Sequence, residues 1–179
     1  RLALPRSLAK RGGFKDTAPD DLLLAVLQAT LQKTGIEPEV EEGEGKEARA
    51  GARRRPRPGR PPFFHAHQSP SLSPQAIGDI VIGSVLGDSS QRAIQCRIAA
   101  LLAGIPDTVP LHTVNRQCSS GLQAIASVAA AIKAGYYSIG LAGGVESMST
   151  NPMAWEGGIN PRVADCDAAQ SCLIPMGRC

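Results

Sequence analysis

Aromatic side chains are scarce in this chain: Phe, Trp and Tyr make up 3% of its 179 residues. That scarcity argues against an aromatic-lined binding barrel. No apolar run reaches the roughly 18 to 20 residues that a bilayer-crossing helix needs, so no such span is expected. The five cysteines, Cys96, Cys118, Cys166, Cys172 and Cys179, form no Cys-x-x-Cys pair and no Cys/His zinc pattern. Nothing resembles a secretory signal, so a reducing compartment is expected and disulfides are not. What remains is 42% hydrophobic and 20% charged residues with 19 glycines, enough for one packed domain of tightly layered α/β type. With neither zinc nor disulfides to account for them, the thiols are judged one by one as nucleophiles.

The net charge of +3 sits in one place. Residues 40–75 hold one Lys and six Arg against four Glu, a surplus equal to that of the whole chain. A nucleic-acid reading therefore rests on this segment alone. The segment also holds six of the fourteen prolines, two of the three histidines and the run Arg53-Arg54-Arg55-Pro56-Arg57-Pro58. A connection of this length inside a compact domain is uncommon, and its composition predicts disorder. A basic nucleic-acid arm has only Phe63 and Phe64 to interleave with its charges, and a His65/His67 metal site has no third ligand nearby. The segment reads as a solvated insertion, with neither nucleic acid nor metal as a partner.

On either side, the pattern is that of alternating strands and helices. Thr17-Ala18-Pro19-Asp20 reads as a helix start with Thr17 as cap, and Leu23, Leu24, Leu27 and Leu31 supply an apolar stripe that Gly35 ends. Ile77 to Gly83 reads as a buried strand, and Ser90 to Leu102 as a helix closed by Gly104 and Pro106. Thr113 to Gln117 reads as a strand entering a turn. Leu122 to Lys133 is a helix apolar on all faces and so expected to be buried all round. Ser138 to Val145 reads as the next strand. This order predicts a parallel sheet with packed crossover helices. From Asn151 to Cys179, repeated Pro and Gly predict a loop-like tail.

The run Asn115-Arg116-Gln117-Cys118-Ser119-Ser120-Gly121 places a cysteine between a strand and the N-terminus of a neutral helix. Unpaired N–H groups and the positive dipole end favour thiolate there. The small residues after it let a carbonyl approach both the sulfur and the backbone amides, as acyl transfer requires. On mechanics alone two readings stand: Cys118 as nucleophile, or as a buried structural cysteine.

Thr113 to Ala126 resembles the nucleophile motif of thiolases, and Gly143-Gly144-Val145-Glu146-Ser147-Met148-Ser149 resembles a second signature of that family. Arg11-Gly12-Gly13-Phe14-Lys15-Asp16-Thr17 and Asn151-Pro152-Met153-Ala154-Trp155-Glu156-Gly157 look like its peroxisomal 3-ketoacyl-CoA branch. The resemblance implies the N-terminal half of a layered αβαβα fold. Residues 1–39 would begin the domain, 40–75 interrupt it, 76–150 form its core with the nucleophile, and 151–179 open a loop region.

The resemblance further implies that Cys118 accepts the acyl group, with its own N–H as an oxyanion donor, and that Met176 lines the acyl pocket; ordinary core packing is the alternative for Met176. Cys96 reads as core, while Cys166, Cys172 and Cys179 receive no role. His112 is expected before the strand as a structural histidine, and Glu146 as a buried structural carboxylate. The implied reaction is thiolysis of 3-ketoacyl-CoA in fatty-acid β-oxidation. Coenzyme A is then a substrate, there is no other cofactor and no membrane partner, and the unit is a peroxisomal homodimer. The family's Gly-His-Pro, Cys-x-Gly and Asn-Glu-Ala-Phe motifs do not occur in the sequence. The chain is therefore expected to be an incomplete form, and the alternative is a non-catalytic product that misfolds or associates with full-length subunits. A ketoacyl synthase is disfavoured by the Gly-Gly-Val-Glu-Ser-Met segment. Arg1 to Ala9 opens like an N-terminal peroxisomal address but carries Leu8 where His or Gln is expected.

Residues 40–75 fit a translated intron. Removing them joins Pro38-Glu39 to Ala76-Ile77 and restores a connection of a few residues. Val40 has codons beginning GT, Gln75 can be encoded by CAG, and Gln68 to Pro74 can be written almost wholly in pyrimidine codons. Genomic DNA and mature cDNA are expected to differ by this in-frame block; its presence in mature cDNA would sink the idea.

Overall fold

The computed structural model describes residues 10–38, 72–87, 91–152 and 158–170. Helix α1 spans Pro19–Thr34, strand β1 Asp79–Gly83, helix α2 Arg92–Leu102, strand β2 Leu111–Val114, helix α3 Ser120–Lys133 and strand β3 Gly140–Gly144. Short 3₁₀ turns lie at Pro74–Ala76 and Pro161–Asp165. The three strands form a parallel sheet in the order β2-β1-β3. The parallel sheet and its crossover helices are those expected from the sequence.

Strand β1 explains the layering. Alternate residues of a strand face opposite sides of the sheet. Ile80 and Ile82 pack with Leu23, Leu27 and Leu31 of α1 and with Cys96, Ala99 and Ala100 of α2. Val81 packs on the other side, with Ala124 and Val128 of α3. All three β1 residues are buried, as a central strand covered on both faces requires. The described residues thus stack in three layers: α1 and α2, the sheet, and α3.

The ends of α1 show what local chemistry dictates. Ala18, not Thr17, occupies the N-cap, and no side chain caps the helix. Pro19 sets the first turn, and a residue before proline is driven to the extended conformation that Ala18 adopts (φ −64°, ψ 146°). At the other end Gly35 takes φ 72° and donates its N–H to Leu31 O.

Several expectations shift. Strand β2 begins at Leu111, two residues before the expected Thr113, so His112 lies within it rather than ahead of it. Helix α2 begins at Arg92, and Ser90 lies outside the described residues. The largest difference is in α3. One side of the helix packs on the sheet through Ala124 and Val128, while Leu122, Ile125 and Ile132 are 69%, 55% and 40% exposed. The sheet supplies a single covering surface, and no second layer covers α3 among the described residues. Residues 40–71 and the tail from Ser171 lie outside the described residues. The last four residues of the 40–75 stretch belong to the fold. Leu72 bridges Ile36, and Pro74 is buried in the 3₁₀ turn that leads to β1.

A glycine sets the spacing between β1 and α3. A Cβ placed on Gly83 would stand 2.3 Å from Ser120 C and 2.4 Å from Gly121 N, far inside contact distance and against backbone. Replacing Gly83 by Ala is expected to push the start of α3 off the sheet and to cost about 1–3 kcal/mol, read as a lower urea midpoint. An unchanged midpoint would refute the close packing.

Cys96 gives a second test. Burial raises its thiol from 9.0 to about 11, against a smaller downward pull from the Arg92 charge. Between those values the unfolded chain loses the Cys96 proton while the folded chain keeps it, so unfolding is favoured as pH rises. The contribution is complete below about pH 9 and is lost toward pH 11, amounting to roughly 3 kcal/mol. Urea midpoints should fall over that interval, and Cys96→Ala should flatten the fall. An equal slope in both proteins would exclude Cys96 as its source.

Candidate active site

The carboxyl ends of the three strands converge. From the central strand, α2 departs on one face toward β2, and α3 departs from β2 on the other face toward β3. Diverging connections of this kind leave a crevice beyond the strand ends, where α/β proteins bind ligands. Three loops meet there: Ser84 to Gly87 after β1, Asn115 to Ser119 after β2, and Val145 to Asn151 after β3. Ser84 N donates to Val114 O at 3.1 Å and Val145 N to Gly83 O at 3.1 Å, which extends the sheet pairing to its rim.

Cys118 lies in the loop after β2 and is exposed, which removes the reading of a buried structural cysteine. It stands directly before Ser119, the N-cap of α3. The preceding Gln117 has φ 49°, a left-handed conformation uncommon for a residue with a side chain. Asn115 holds the entry to the turn: its Oδ1 accepts from Gln117 N at 3.0 Å. The N–H groups of Ser119 and Ser120 donate to the carbonyls of Arg116 and Gln117, each at 3.0 Å. Those two amides are therefore spent within the turn. The Cys118 N–H, beside the sulfur, donates to no backbone carbonyl among the described residues. Arg116 turns along α3 and donates to Gln123 Oε1 at 2.5 Å.

Glu146 ties the loop after β3 to the loop after the central strand β1. Its carboxylate accepts from Val85 N at 2.8 Å and Leu86 N at 3.1 Å. The residue itself is exposed, which corrects the expected burial, yet both oxygens are engaged by the backbone of the neighbouring loop. Arg92 grips the same loop from below. Its guanidinium donates to Leu86 O, to Gln95 Oε1 at 3.0 Å and to Asn151 Oδ1 at 3.3 Å. Arg92 is 7% exposed, and a cation buried to that degree is retained where it satisfies several backbone and amide oxygens.

The remaining candidates separate. Cys96 is buried in the α1–α2 layer, while Cys166 is exposed in the segment after the Pro161–Asp165 turn. Met176, Cys172 and Cys179 lie outside the described residues. His112 Nδ1 sits 3.4 Å from Asp79 Oδ2, near the amino end of the sheet and away from the Cys118 turn. No group of three metal-ligating side chains is found among the described residues. Sequence reasoning missed Ser120 and Arg92. The signal for Ser120 was a hydroxyl at the first position of a helix of mostly small apolar residues; for Arg92 it was a cation at the first position of a helix after a glycine-containing loop.

A family profile described as the thiolase N-terminal domain matches residues 66–178, more than half of the chain. The chain is 50% identical over 173 residues to 3-ketoacyl-CoA thiolase 2, peroxisomal, of Arabidopsis thaliana, covering 97% of this chain and 30% of that protein. Among solved structures it resembles the dimeric peroxisomal thiolase of Saccharomyces cerevisiae, with a TM-score of 0.63 at 28% identity, over 96% of this chain and 36% of the other. A second structure of the yeast peroxisomal 3-ketoacyl-CoA thiolase, described as five-layered and built from two core domains of identical topology, matches with a TM-score of 0.54 at 29% identity, over 81% and 32%. The chain thus spans about a third of the length of these relatives. The three-layered α/β arrangement, the turn that presents Cys118 and the profile match agree: this chain belongs to the thiolase family through its N-terminal domain.

Proposed function

We propose that this chain carries the nucleophile-bearing part of a peroxisomal 3-ketoacyl-CoA thiolase and that Cys118 is the acyl-accepting thiol. The observation that carries this reading is the exposed thiol in a constrained turn at the start of α3, beside its own unspent N–H. In the proposed reaction, the Cys118 thiolate attacks the keto carbonyl of 3-ketoacyl-CoA. The bond between the α and β carbons then breaks, and its electron pair leaves with the acetyl-CoA carbon, which must take up a proton. The acyl group stays on sulfur until the thiol of a second CoA removes it. The Cys118 N–H would stabilise the oxygen that becomes negative.

CoA enters as substrate, and no further cofactor is required by this chemistry. Fatty-acid β-oxidation, a peroxisomal location and a homodimer follow from the relatives and are part of the proposal. So are Met176 as a wall of the acyl pocket and the division of the chain at residues 39/40 and 150/151, with the expected boundary at 75/76 moved ahead of Leu72 by its pairing with Ile36. The base and acid of the reaction belong to motifs not found in this sequence, so residues 1–179 alone should not turn over. The bare face of α3, with Leu122, Ile125 and Ile132, favours a second reading for the isolated chain: a non-catalytic partner that associates with full-length subunits. In the complete protein, the same face would meet a second core domain.

The test uses purified residues 1–179, assayed for CoA-dependent cleavage of acetoacetyl-CoA and mapped after iodoacetamide treatment. Turnover should be absent, Cys118 alkylated and Cys96 protected. Robust turnover would overturn the need for further residues. Alkylation that spares Cys118 in a folded sample would count against it as the nucleophile.

A further inference from the structure

The Cys118 turn has a strut. Ser120 is 4% exposed, the most deeply buried polar side chain among the described residues, and its hydroxyl makes two hydrogen bonds. It donates to Gln117 O at 2.6 Å and accepts from Arg116 N at 2.8 Å. Both partners precede Cys118, while Ser120 follows it, so the hydroxyl closes a small ring around the cysteine. Gln117, between the two bonded groups, is the residue held at φ 49°. A left-handed conformation at a residue with a side chain costs on the order of 1 kcal/mol or more and persists only where its surroundings fix it. Ser120 is itself fixed, because the missing side chain of Gly83 lets the backbone of Ser120 rest on the central strand.

We propose that Ser120 is a positioning residue whose hydroxyl, by bridging Gln117 O and Arg116 N, aligns the Cys118 thiol with its own N–H for acyl transfer. The inference rests on Cys118 being the acyl acceptor. It assigns no chemical step to Ser120, which touches neither sulfur nor substrate. Its effect is on alignment. Attack on a carbonyl requires sulfur and N–H to address one carbonyl group together, whereas displacement of iodide from iodoacetamide requires the sulfur alone.

That difference gives a readout that mere loss of structure would not imitate. With p-nitrophenyl acetate, the Cys118 thiolate would form a thioester and release p-nitrophenolate, the thiol proton passing to solvent. Residues 1–179 would be prepared as wild type, Ser120→Ala and Ser120→Thr. Acylation by p-nitrophenyl acetate and alkylation by iodoacetamide would be followed at Cys118, with Cys166 as an exposed reference and protection of Cys96 as the measure of folding. For Ser120→Ala, the ratio of acylation to alkylation at Cys118 is expected to fall at least about fivefold with Cys96 still protected, and the Arg116 amide should exchange faster. Ser120→Thr, which keeps the hydroxyl, should recover most of the ratio.

An unchanged ratio in folded Ser120→Ala overturns the proposal while leaving Cys118 as nucleophile. Wild-type acylation of Cys118 no faster than that of Cys166 overturns the nucleophile assignment, and the role of Ser120 falls with it. If Ser120→Ala loses Cys96 protection, the comparison passes to Ser120→Thr against Ser120→Val, which share a shape and differ in the hydroxyl; equal ratios in that pair overturn the proposal.

Discussion

The contact between Gly83 and the first turn of α3 is the constraint from which the site is built. A helix packed on a sheet ordinarily keeps its axis about 10 Å from the strands, with side chains filling the gap. Here the gap closes at one point, because Gly83 has no Cβ to hold Ser120 and Gly121 away. The start of α3 is pinned to the strand buried most completely, while the rest of the helix lies against Val81 through Ala124 and Val128. Helix ends fray because their terminal amides lack intrahelical partners. This one is anchored by backbone contact, and the turn before it inherits that rigidity. Cys118 is therefore exposed in a place that does not move freely, a combination a surface loop alone would not provide.

The polar residues around the strand ends have a common task. Glu146, Arg92 and Asn115 come from three different segments, and each reaches backbone of the loop after β1: Glu146 accepts from Val85 N and Leu86 N, Arg92 donates to Leu86 O and Asn115 to Val85 O. Glu146 is the clearest case, as it receives two successive amides from a loop some sixty positions earlier. Carboxylate bonds to backbone N–H are charge-assisted and stronger than neutral ones. The crevice rim is thus cross-linked by side chains, while the turn that presents Cys118 is also held from within by Asn115 and Ser120.

Much of this was legible in the sequence, where the period of apolar residues carries the information. Leu23, Leu27 and Leu31 recur at helical spacing and are the buried stripe of α1, and the unbroken run Ile80-Val81-Ile82 is the strand covered on both faces. The Cys118 turn could be read from small residues ahead of an apolar helix. What could not be read depends on which neighbour a surface meets. The all-apolar composition of α3 predicts a buried helix, yet composition does not say whether the covering layer lies within the described residues. Glu146 looked buried because apolar and small residues surround it in the chain. In space, its partners are the amides of Val85 and Leu86, which lie at the rim. Thr17 was the better capping side chain than Ala18, but Pro19 fixed the helix start and so the position of the cap. The start of β2 was misplaced by two residues, and His112 with it, because pairing with β1, rather than local propensity, decides where β2 begins.

The contrast between two thiols completes the physical picture. Cys96 and Cys118 are one residue type on two adjoining elements, and burial divides their chemistry. Desolvation pushes Cys96 up to about 11, so at neutral pH it is a small apolar side chain among Ala99, Ala100 and Ile82. The Arg92 charge pulls in the other direction by less, and its guanidinium is bonded to Leu86 O, Gln95 and Asn151. Cys118 has no such cover. A reagent in solution therefore meets one of these two sulfurs and not the other. Selectivity of this kind needs no recognition of the cysteine itself; it follows from placing one thiol inside the α1–α2 layer and the other in a turn pinned to the end of the central strand.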